Sequence, residues 1–495
     1  MSVVTELRSL PPRISRSLRR HLTLRSMPGP PGHPVLGHLR QLKLGTAVTH
    51  MKAWAERYGP LYRCRLLHRP VVVVADPSLV REALRLRPQK IRRMEVMESI
   101  LDELGLNGVF SAEGDDWRRQ RRLVMSAFGR SKLADMQAMV AMVTDRLLTR
   151  WEGRVDMPGD VYPDLARFTA DVTTLVAFGY DLDSLRTPAE LQAWVASVFD
   201  GVAGRLYAPL PYWRVFELGR DREMKRAVAS LRATVQAILR EDGREDGRED
   251  GREDRREDGR EGDRTGPDNL LRRLQQARLK EGSRRGLSEQ ELFANVMALL
   301  FAGEDTTANT LGWMIHYLAT HPAVQERMRA EVDEVLGDAT AVQTPEQAAA
   351  LRTVDAAFIE TLRLRPVAPI LMLQAREALS LHGYEIPAGT EIIALLDRNA
   401  RSADRYADPE AFEPERWLGS TVDPSRPDDG LFPFGGGPRV CPGRGLAMLE
   451  AQTLVGSLLR RFEIGSAPGA PAPQTVVSFT WGPDRIDVVL KRRRG

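Results

Sequence analysis

The chain has two cysteines in 495 residues, and one of them stands in an unusual setting. Cys441 belongs to the run Phe434-Gly435-Gly436-Gly437-Pro438-Arg439-Val440-Cys441-Pro442-Gly443. The run of glycines and the two prolines forbid regular structure and put the sulfur on a tight loop. Beyond Gly443, Arg444-Gly445-Leu446-Ala447-Met448-Leu449-Glu450 turns helical. Cys441 therefore precedes a helix N-terminus, where the dipole and free N–H groups favour a thiolate. A thiolate fixed in a rigid loop, with backbone donors turned towards it, is what axial ligation of a haem iron requires. The glycines let the backbone approach a porphyrin, and Phe434 can cover the cysteine's side of the ring. A phosphate-cradling loop fails because no Gly-Lys-Ser/Thr follows the glycines. A buried structural cysteine leaves the costly loop chemistry unexplained.

The second constellation is Ala302-Gly303-Glu304-Asp305-Thr306-Thr307. Gly303 costs ~1 kcal/mol against alanine inside a helix, and adjacent threonines are poor helix formers. Two carboxylates beside them make the segment locally unfavourable, as expected of a functional site. A threonine hydroxyl can bond the carbonyl four residues back and loosen the helix. An acid next to an alcohol in an apolar groove is a proton-delivery pair. The competing reading has Glu304 and Asp305 facing solvent or capping neighbouring groups. Two further clusters carry weaker signals. Glu360 and Arg363 lie three apart, on one face of a helix that ends before Pro366. In a chain that is 28% charged, Glu-x-x-Arg usually marks a surface ion pair. Trp117-Arg118-Arg119-Gln120-Arg121-Arg122 puts Trp117 and Arg121 on one helical face. A single basic turn with no wider motif does not support nucleic-acid binding.

These residues need a scaffold, and the chain is long enough to build a large core. Its 42% hydrophobic content is ordinary for a globular protein. At ~150 residues per domain, length alone suggests about three domains. The pattern of elements favours one mainly helical domain with small sheets. Leu61 to Leu66 and Pro70 to Val74 read as a strand hairpin. Helical patterns then dominate to about Thr361, and strand character returns over Leu371 to Leu396 and Val476 to Leu490. The best-marked helix starts at Ser288, with Ser288 and Glu291 as a capping box and Leu287 and Leu292 at hydrophobic-staple spacing. Nothing stops it before His321-Pro322, which gives roughly 50 Å of buried helix. It carries the Gly303–Thr306 segment midway.

The net charge of +4 hides an asymmetry. Residues 240–264 repeat Arg-Glu-Asp-Gly with eight arginines against twelve acids, so they carry −4 and the rest of the chain +8. With no apolar side chain, this segment reads as a solvated insertion between two helices; a calcium loop is disfavoured by the interleaved arginines. No apolar run approaches the ~20 residues of a membrane span. Residues 1–26 are basic, with Ile14, Leu18 and Leu22 four apart. They read as a frayed tail, with membrane-surface contact or a transit peptide as the alternatives. Residues 491–495 form a basic C-terminal tail.

The decapeptide resembles, at all five fixed positions (Phe434, Gly437, Arg439, Cys441, Gly443), the haem-binding signature of the cytochrome P-450 family. The resemblance extends over roughly Pro28 to Leu490, and the domain is expected to span 27–490. It implies an α+β fold, mainly α with small β-sheets, with a long central helix over haem b and Cys441 as proximal thiolate. Ala302 would face the cofactor, Thr306 would bond the bound dioxygen and Asp305 would relay protons, with Thr307 structural. Glu360, Arg363 and Arg416 resemble the family's buried network that locks the haem-binding core. Trp117, Arg121 and Arg439 would hold the haem propionates. One departure is visible: where relatives often place another basic propionate ligand, the best register here has Leu373, with Gln374 beside it and Arg376 three positions on.

The implied activity is insertion of one oxygen atom from dioxygen into an apolar substrate, lipid-like, terpenoid, steroid or polyketide. Met94, Met97, Ile100, Leu101 and Leu104, and Val367 to Ile370, are expected to line the pocket. No flavin or nicotinamide fingerprint is present, so electrons would come from a separate ferredoxin, flavodoxin or flavoprotein reductase, docking on the remaining arginines near Trp117. A cytoplasmic monomer is expected. Two rivals keep the residues but change the function: a peroxide-driven or hydroperoxide-rearranging enzyme, which would tend to lack the acid–threonine pair, and a haem sensor without turnover, which leaves that pair unexplained.

Overall fold

Val71 to Val74 have every side chain out of solvent. A strand buried on both faces needs partners along both edges. In the computed structural model it has them. Strands β1 (Leu61–Leu66) and β2 (Arg69–Val74) form the expected hairpin, turning at Leu67 with φ 56°. On its other edge β2 runs parallel to β8 (Glu391–Leu395), and the five-stranded sheet continues through β5 (Ile370–Ala375) to β3 (Ile91–Arg93). The structure describes residues 22–43, 45–128, 130–187, 190–208, 210–250, 286–419 and 430–493.

The helices in these residues are α1 (Ala47–Tyr58), α2 (Pro77–Arg85), α3 (Glu95–Glu103), α4 (Gly114–Ala127), α5 (Arg130–Glu152), α6 (Tyr162–Phe178), α7 (Glu190–Leu206), α8 (Gly219–Asp250), α9 (Glu289–Thr320), α10 (Pro322–Leu336), α11 (Pro345–Ala350), α12 (Arg352–Leu364) and α13 (Arg444–Arg461). The small strands are β4 (Gly159–Asp160), β6 (Leu379–Leu381), β7 (Tyr384–Ile386), β9 (Phe462–Ser466), β10 (Thr475–Val477), β11 (Trp481–Pro483) and β12 (Asp487–Arg492). They form the sets β4-β12-β9, β6-β7 and β10-β11. The expected mainly helical fold with small sheets is what forms.

Helix α9 starts as its sequence requires. Ser288 Oγ accepts the Glu291 N–H, and Glu291 Oε2 accepts the Ser288 N–H at 2.8 Å. Its 32 residues pass through two hydrophobic cores. Leu292, Val296, Met297 and Leu300 pack with residues of α3, α4, α7 and α8, whereas Leu311, Met314, Ile315 and Leu318 pack with α5, α6, α10, α12 and α13. The polar segment Gly303–Thr307 falls at the joint between them.

The charged insert behaves differently from its composition. Helix α8 runs on to Asp250, so the first part of 240–264 continues the helix before it instead of starting a separate segment between two helices. Arginine and glutamate are good helix formers, and one glycine in four lowers that preference without abolishing it. Residues 251–264, residues 1–21 with Ile14 and Leu18, and residues 494–495 lie outside the described residues.

Candidate active site

The cysteine loop is held closed by its own backbone. The Cys441 N–H donates to the Phe434 carbonyl at 2.9 Å, and the Val440 N–H to that of Gly437 at 3.2 Å. Gly435 and Gly437 take φ of 72° and 66°, a region that favours glycine. A methyl on Gly437 would stand 2.4 Å from the Leu84 carbonyl oxygen, so the loop can lie against α2 only with glycine there. Helix α13 begins at Arg444, and the Gly443 and Arg444 N–H groups donate to the Cys441 sulfur. Burial pushes the Cys441 thiol up, while those donors and the charges of Arg121 and Arg444 oppose the shift. Cys441 lies deep in the molecule yet is accessible, as a residue lining an internal space must be. Phe434 stacks on Phe358 at 6.3 Å.

On α9, Ala302 is exposed in the middle of a buried helix, so it too opens onto an internal space. The Thr306 hydroxyl donates to the Ala302 carbonyl at 2.6 Å, and Thr310 repeats the bond to Thr306 at 2.8 Å. The expected back-bond exists, and the helix stays continuous across it. Thr307 is buried. Asp305 does not face solvent: it accepts from the Thr480 hydroxyl, and burial raises its carboxyl against hydrogen bonds from Thr480 and Asn309. Glu304 is buried against α6, its Oε2 without a hydrogen-bond partner. Burial, then the charges of Asp305 and Asp171, push it up to about 8. Beside them, Phe301 lies 5.3 Å from Phe199, which is 5.6 Å from Phe479, itself 6.1 Å from Phe110. Of the expected pocket residues, Met97, Ile100, Leu101 and Leu104 join the core of Val296 and Leu300, whereas Val367 and Ile370 pack elsewhere.

The propionate candidates form a buried basic cluster. Arg439 stacks over Trp117 at 4.5 Å, pairs with Glu113 at 2.8 Å and donates to the Ala112 carbonyl at 2.6 Å. Arg121 donates to the Val440 carbonyl at 2.5 Å, which ties α4 to the cysteine loop. Sequence reasoning missed Arg93 and Arg87. Arg93 lies directly opposite Leu373 across the β3–β5 ladder, so a basic residue on the neighbouring strand stands beside the position on β5 that lacks one. Burial and the charge of Arg439 bring Arg93 down to about 10. Arg87 is buried with Nε and Nη2 unpartnered, and burial lowers it well below the usual guanidinium range. Arg376 is exposed, beside Gly114 at the start of α4. Arg118 pairs with Asp115, and Arg119 with Asp116 and Glu291, so Arg119 ties α4 to the start of α9.

Glu360, Arg363 and Arg416 meet in one buried cluster rather than as the surface ion pair that the Glu-x-x-Arg spacing alone would mark. Glu360 and Arg363 have no exposed surface, and Arg363 Nε and Nη2 each donate to the carboxylate at 2.8 Å. Arg416 Nε adds a bond at 2.9 Å. Two unforeseen donors complete the set: the Trp417 indole at 2.9 Å and the Glu413 N–H at 3.0 Å. Arg363 also donates to the carbonyls of Ala400, Pro409 and Ala411.

The residues fit a haem. An accessible thiol sits deep in the fold with N–H groups on its sulfur, a small residue opens the central helix, and several buried guanidiniums crowd around Glu113. Unpartnered buried guanidinium nitrogens call for an anion. Among the described residues, no group of histidines, cysteines and acids could hold a bare metal ion, and no helix is long and apolar enough to cross a membrane.

Comparison with known proteins agrees. A scan against protein-family models matches "Cytochrome P450" over residues 27–490. The chain is 30% identical over 440 residues to cyclooctat-9-en-7-ol 5-monooxygenase of Streptomyces melanosporofaciens, covering 88% of this chain and 89% of the relative. It is 29% identical to cyclooctatin synthase of the same organism, covering 92% and 94% of the two chains. With LUTEIN DEFICIENT 5, a chloroplastic protein of Arabidopsis thaliana, identity is 28% over 86% of this chain and 70% of the relative. The matched span takes in the cysteine loop, the central helix and the Glu360 network alike: the chain belongs to the cytochrome P-450 family and is an oxidoreductase of the monooxygenase type.

Proposed function

We propose that the chain binds haem b through the Cys441 thiolate and hydroxylates an apolar, terpenoid-like substrate. The stoichiometry is R–H + O2 + two electrons + two protons → R–OH + H2O, with electrons from a separate ferredoxin, flavodoxin or flavoprotein reductase. The haem, when bound, activates dioxygen. The observation that carries the reading is the deep but accessible Cys441 sulfur with the Gly443 and Arg444 N–H groups on it. These donors disperse thiolate charge and fix the sulfur's direction.

The chain's own residues then divide the work. Arg439, Trp117, Arg121 and Arg93 would hold the propionates, and Arg87 would add positive charge behind them. Ala302 leaves room over the ring. The Thr306 hydroxyl keeps its lone pairs free while donating to Ala302, and by rotating it can donate towards dioxygen instead. Asp305 stores the proton and Thr306 passes it on. The aromatic group Phe110, Phe199, Phe301 and Phe479 and the aliphatic face of α3 keep water out and bind apolar surface. The relative's name, cyclooctat-9-en-7-ol 5-monooxygenase, supports a largely hydrocarbon substrate.

The test is the absorption spectrum of the purified, dithionite-reduced protein with and without carbon monoxide. A red-shifted thiolate-type Soret band, abolished in Cys441→Ser, is expected. An imidazole-type band in fresh protein would reject Cys441 as ligand, and absence of haem after expression with ample haem would reject the enzymatic reading.

A further inference from the structure

We propose that Thr480 is the positioning residue for Asp305: a directed hydrogen-bond chain, Tyr162 to Asn309 to Thr480 to Asp305, holds the acid, and Phe479 seats the same hairpin tip in the substrate pocket. This rests on the reading of Asp305 as the proton-delivering acid.

The chain runs one way. The Tyr162 hydroxyl donates to Asn309 Oδ1 at 2.5 Å, so the carboxamide must present its nitrogen on the other side. That nitrogen donates to Thr480 Oγ1 at 3.1 Å. A hydroxyl has one proton, and with its oxygen already accepting from Asn309 the Thr480 proton is left for Asp305 Oδ2. Every donor therefore points towards the carboxyl. Hydrogen bonds of that sense favour the ionised acid and offset part of the burial that opposes it. Asp305 can then release its proton without leaving a bare buried charge. The charged and titratable groups facing it are Glu304 beside it and Tyr162 of α6, with Asp171 behind Glu304 and Asp160 behind Tyr162.

Two glycines make this contact possible. A methyl on Gly482 would stand 2.0 Å from Asn309 Oδ1, and one on Gly312 would lie 3.2 Å from both Pro483 and the Tyr162 ring. Strand β11 therefore lies directly on α9. Its hairpin partner is β10, and the tip between them is Ser478–Thr480, where the Ser478 N–H and hydroxyl both donate to the Thr480 carbonyl at 3.0 Å. Just beside the tip, the Trp481 N–H is anchored on the Val367 carbonyl at 2.9 Å. Phe479, on this stapled tip, touches Phe110 and Phe199. Packing in the pocket and the position of the Thr480 hydroxyl are thus set by one rigid turn.

The experiment uses the haem-loaded full chain with NADPH, a flavoprotein reductase and dioxygen, and needs no organic substrate. Dioxygen leaves either as peroxide (O2 + two electrons + two protons → H2O2) or as water (O2 + four electrons + four protons → two H2O). The ratio of NADPH to dioxygen consumed separates these branches, and the carbon-monoxide spectrum checks that the haem site is intact. Thr480→Val, close in shape but without the hydroxyl, is expected to raise the peroxide-to-water ratio about fivefold, the scale of one hydrogen bond. Thr480→Ser is expected to restore it. Phe479→Ala, with Thr480 retained, is expected to move the ratio in the same direction by about twofold, a looser tip losing part of one hydrogen bond. If Asp305→Asn shifts the ratio and Thr480→Val does not, the positioning role is wrong and the reading of Asp305 stands. If Thr480→Val shifts it and Phe479→Ala does not, the pocket link is wrong. If Asp305→Asn itself leaves the ratio unchanged, the proton-delivery reading falls, and this inference with it.

Discussion

Glu360 and Glu304 are both glutamates sunk in buried helices, and they are treated in opposite ways. Glu360 receives five donors, from Arg363, Arg416, Trp417 and the Glu413 backbone. Glu304 has a buried carboxyl oxygen with no donor and two acids for neighbours. A buried charge is tolerable only when paired and fully hydrogen-bonded, so Glu360 is a fixed anion that knits α12 to the segment after Ala400. Glu304 relieves the same problem by holding a proton. The side of the molecule that carries the cysteine loop is stiffened by satisfied charge. The side that must handle protons keeps acids whose ionisation is still open.

The sharpest way to break this contrast is Arg363→Ala. It leaves Glu360 short of two of its donors and frees three carbonyls, and the expected loss is about 3–5 kcal/mol of unfolding free energy, read from the denaturant midpoint, with loss of haem retention. A variant within about 1 kcal/mol of the parent would put Glu360 in the same class as a surface pair.

A smaller effect tests the other glutamate. Because Glu304 is raised from 4.5 to about 8, the folded chain holds a proton that the unfolded chain has released between those values. Stability contributed by this group is therefore full below the lower value and lost as pH rises through the window. Glu304→Gln removes that slope. Between about pH 5 and pH 8 the parent is expected to lose about 2–4 kcal/mol more than the variant, measured as paired denaturant midpoints. Equal slopes would mean that Glu304 ionises as freely as in water.

The smallest effect serves as a reference. Arg119 and Glu291 form a partly exposed pair that links α4 to the start of α9, and Glu291 keeps its bond to the Ser288 N–H without it. Arg119→Ala is expected to cost less than about 1 kcal/mol. A midpoint shift as large as that of Arg363→Ala would show that distance from the core does not rank these pairs.

Much of the paired side was legible in the sequence, because it is built from local signals. The capping box at Ser288 and the glycine-rich loop around Cys441 each act within a few residues, whereas the Glu360–Arg363 spacing alone pointed to a surface pair and only the likeness to the family marked it as buried. Trp417 was missed although it adjoins Arg416, since nothing local says where an indole N–H will point. The proton-handling side depends on contacts between distant segments. That Glu304 would lack a donor follows from how α6 packs on α9, and that Arg93 would stand opposite Leu373 follows from strand register. Thr480 reaches Asp305 across 175 positions, beyond any periodicity. The insert, read as solvated and lying between two helices, begins as the continuation of one of them, α8, which runs to Asp250 because arginine and glutamate are good helix formers.

Strand β12 bears on the order in which the protein is made. It pairs with β4, and at that junction the Ile486 N–H donates to Asp160 across 326 positions. During synthesis the helices through α12 emerge well before the cysteine loop, and the β10–β11 hairpin and β12 emerge after it. Until they do, Asp305 lacks its Thr480 donor and the base of α6 lacks its strand. The proton-handling face is thus completed only after the cysteine loop has been made, and a chain cut between Arg461 and Thr480 would keep the sequence of its thiol loop while its acid lacked the Thr480 donor.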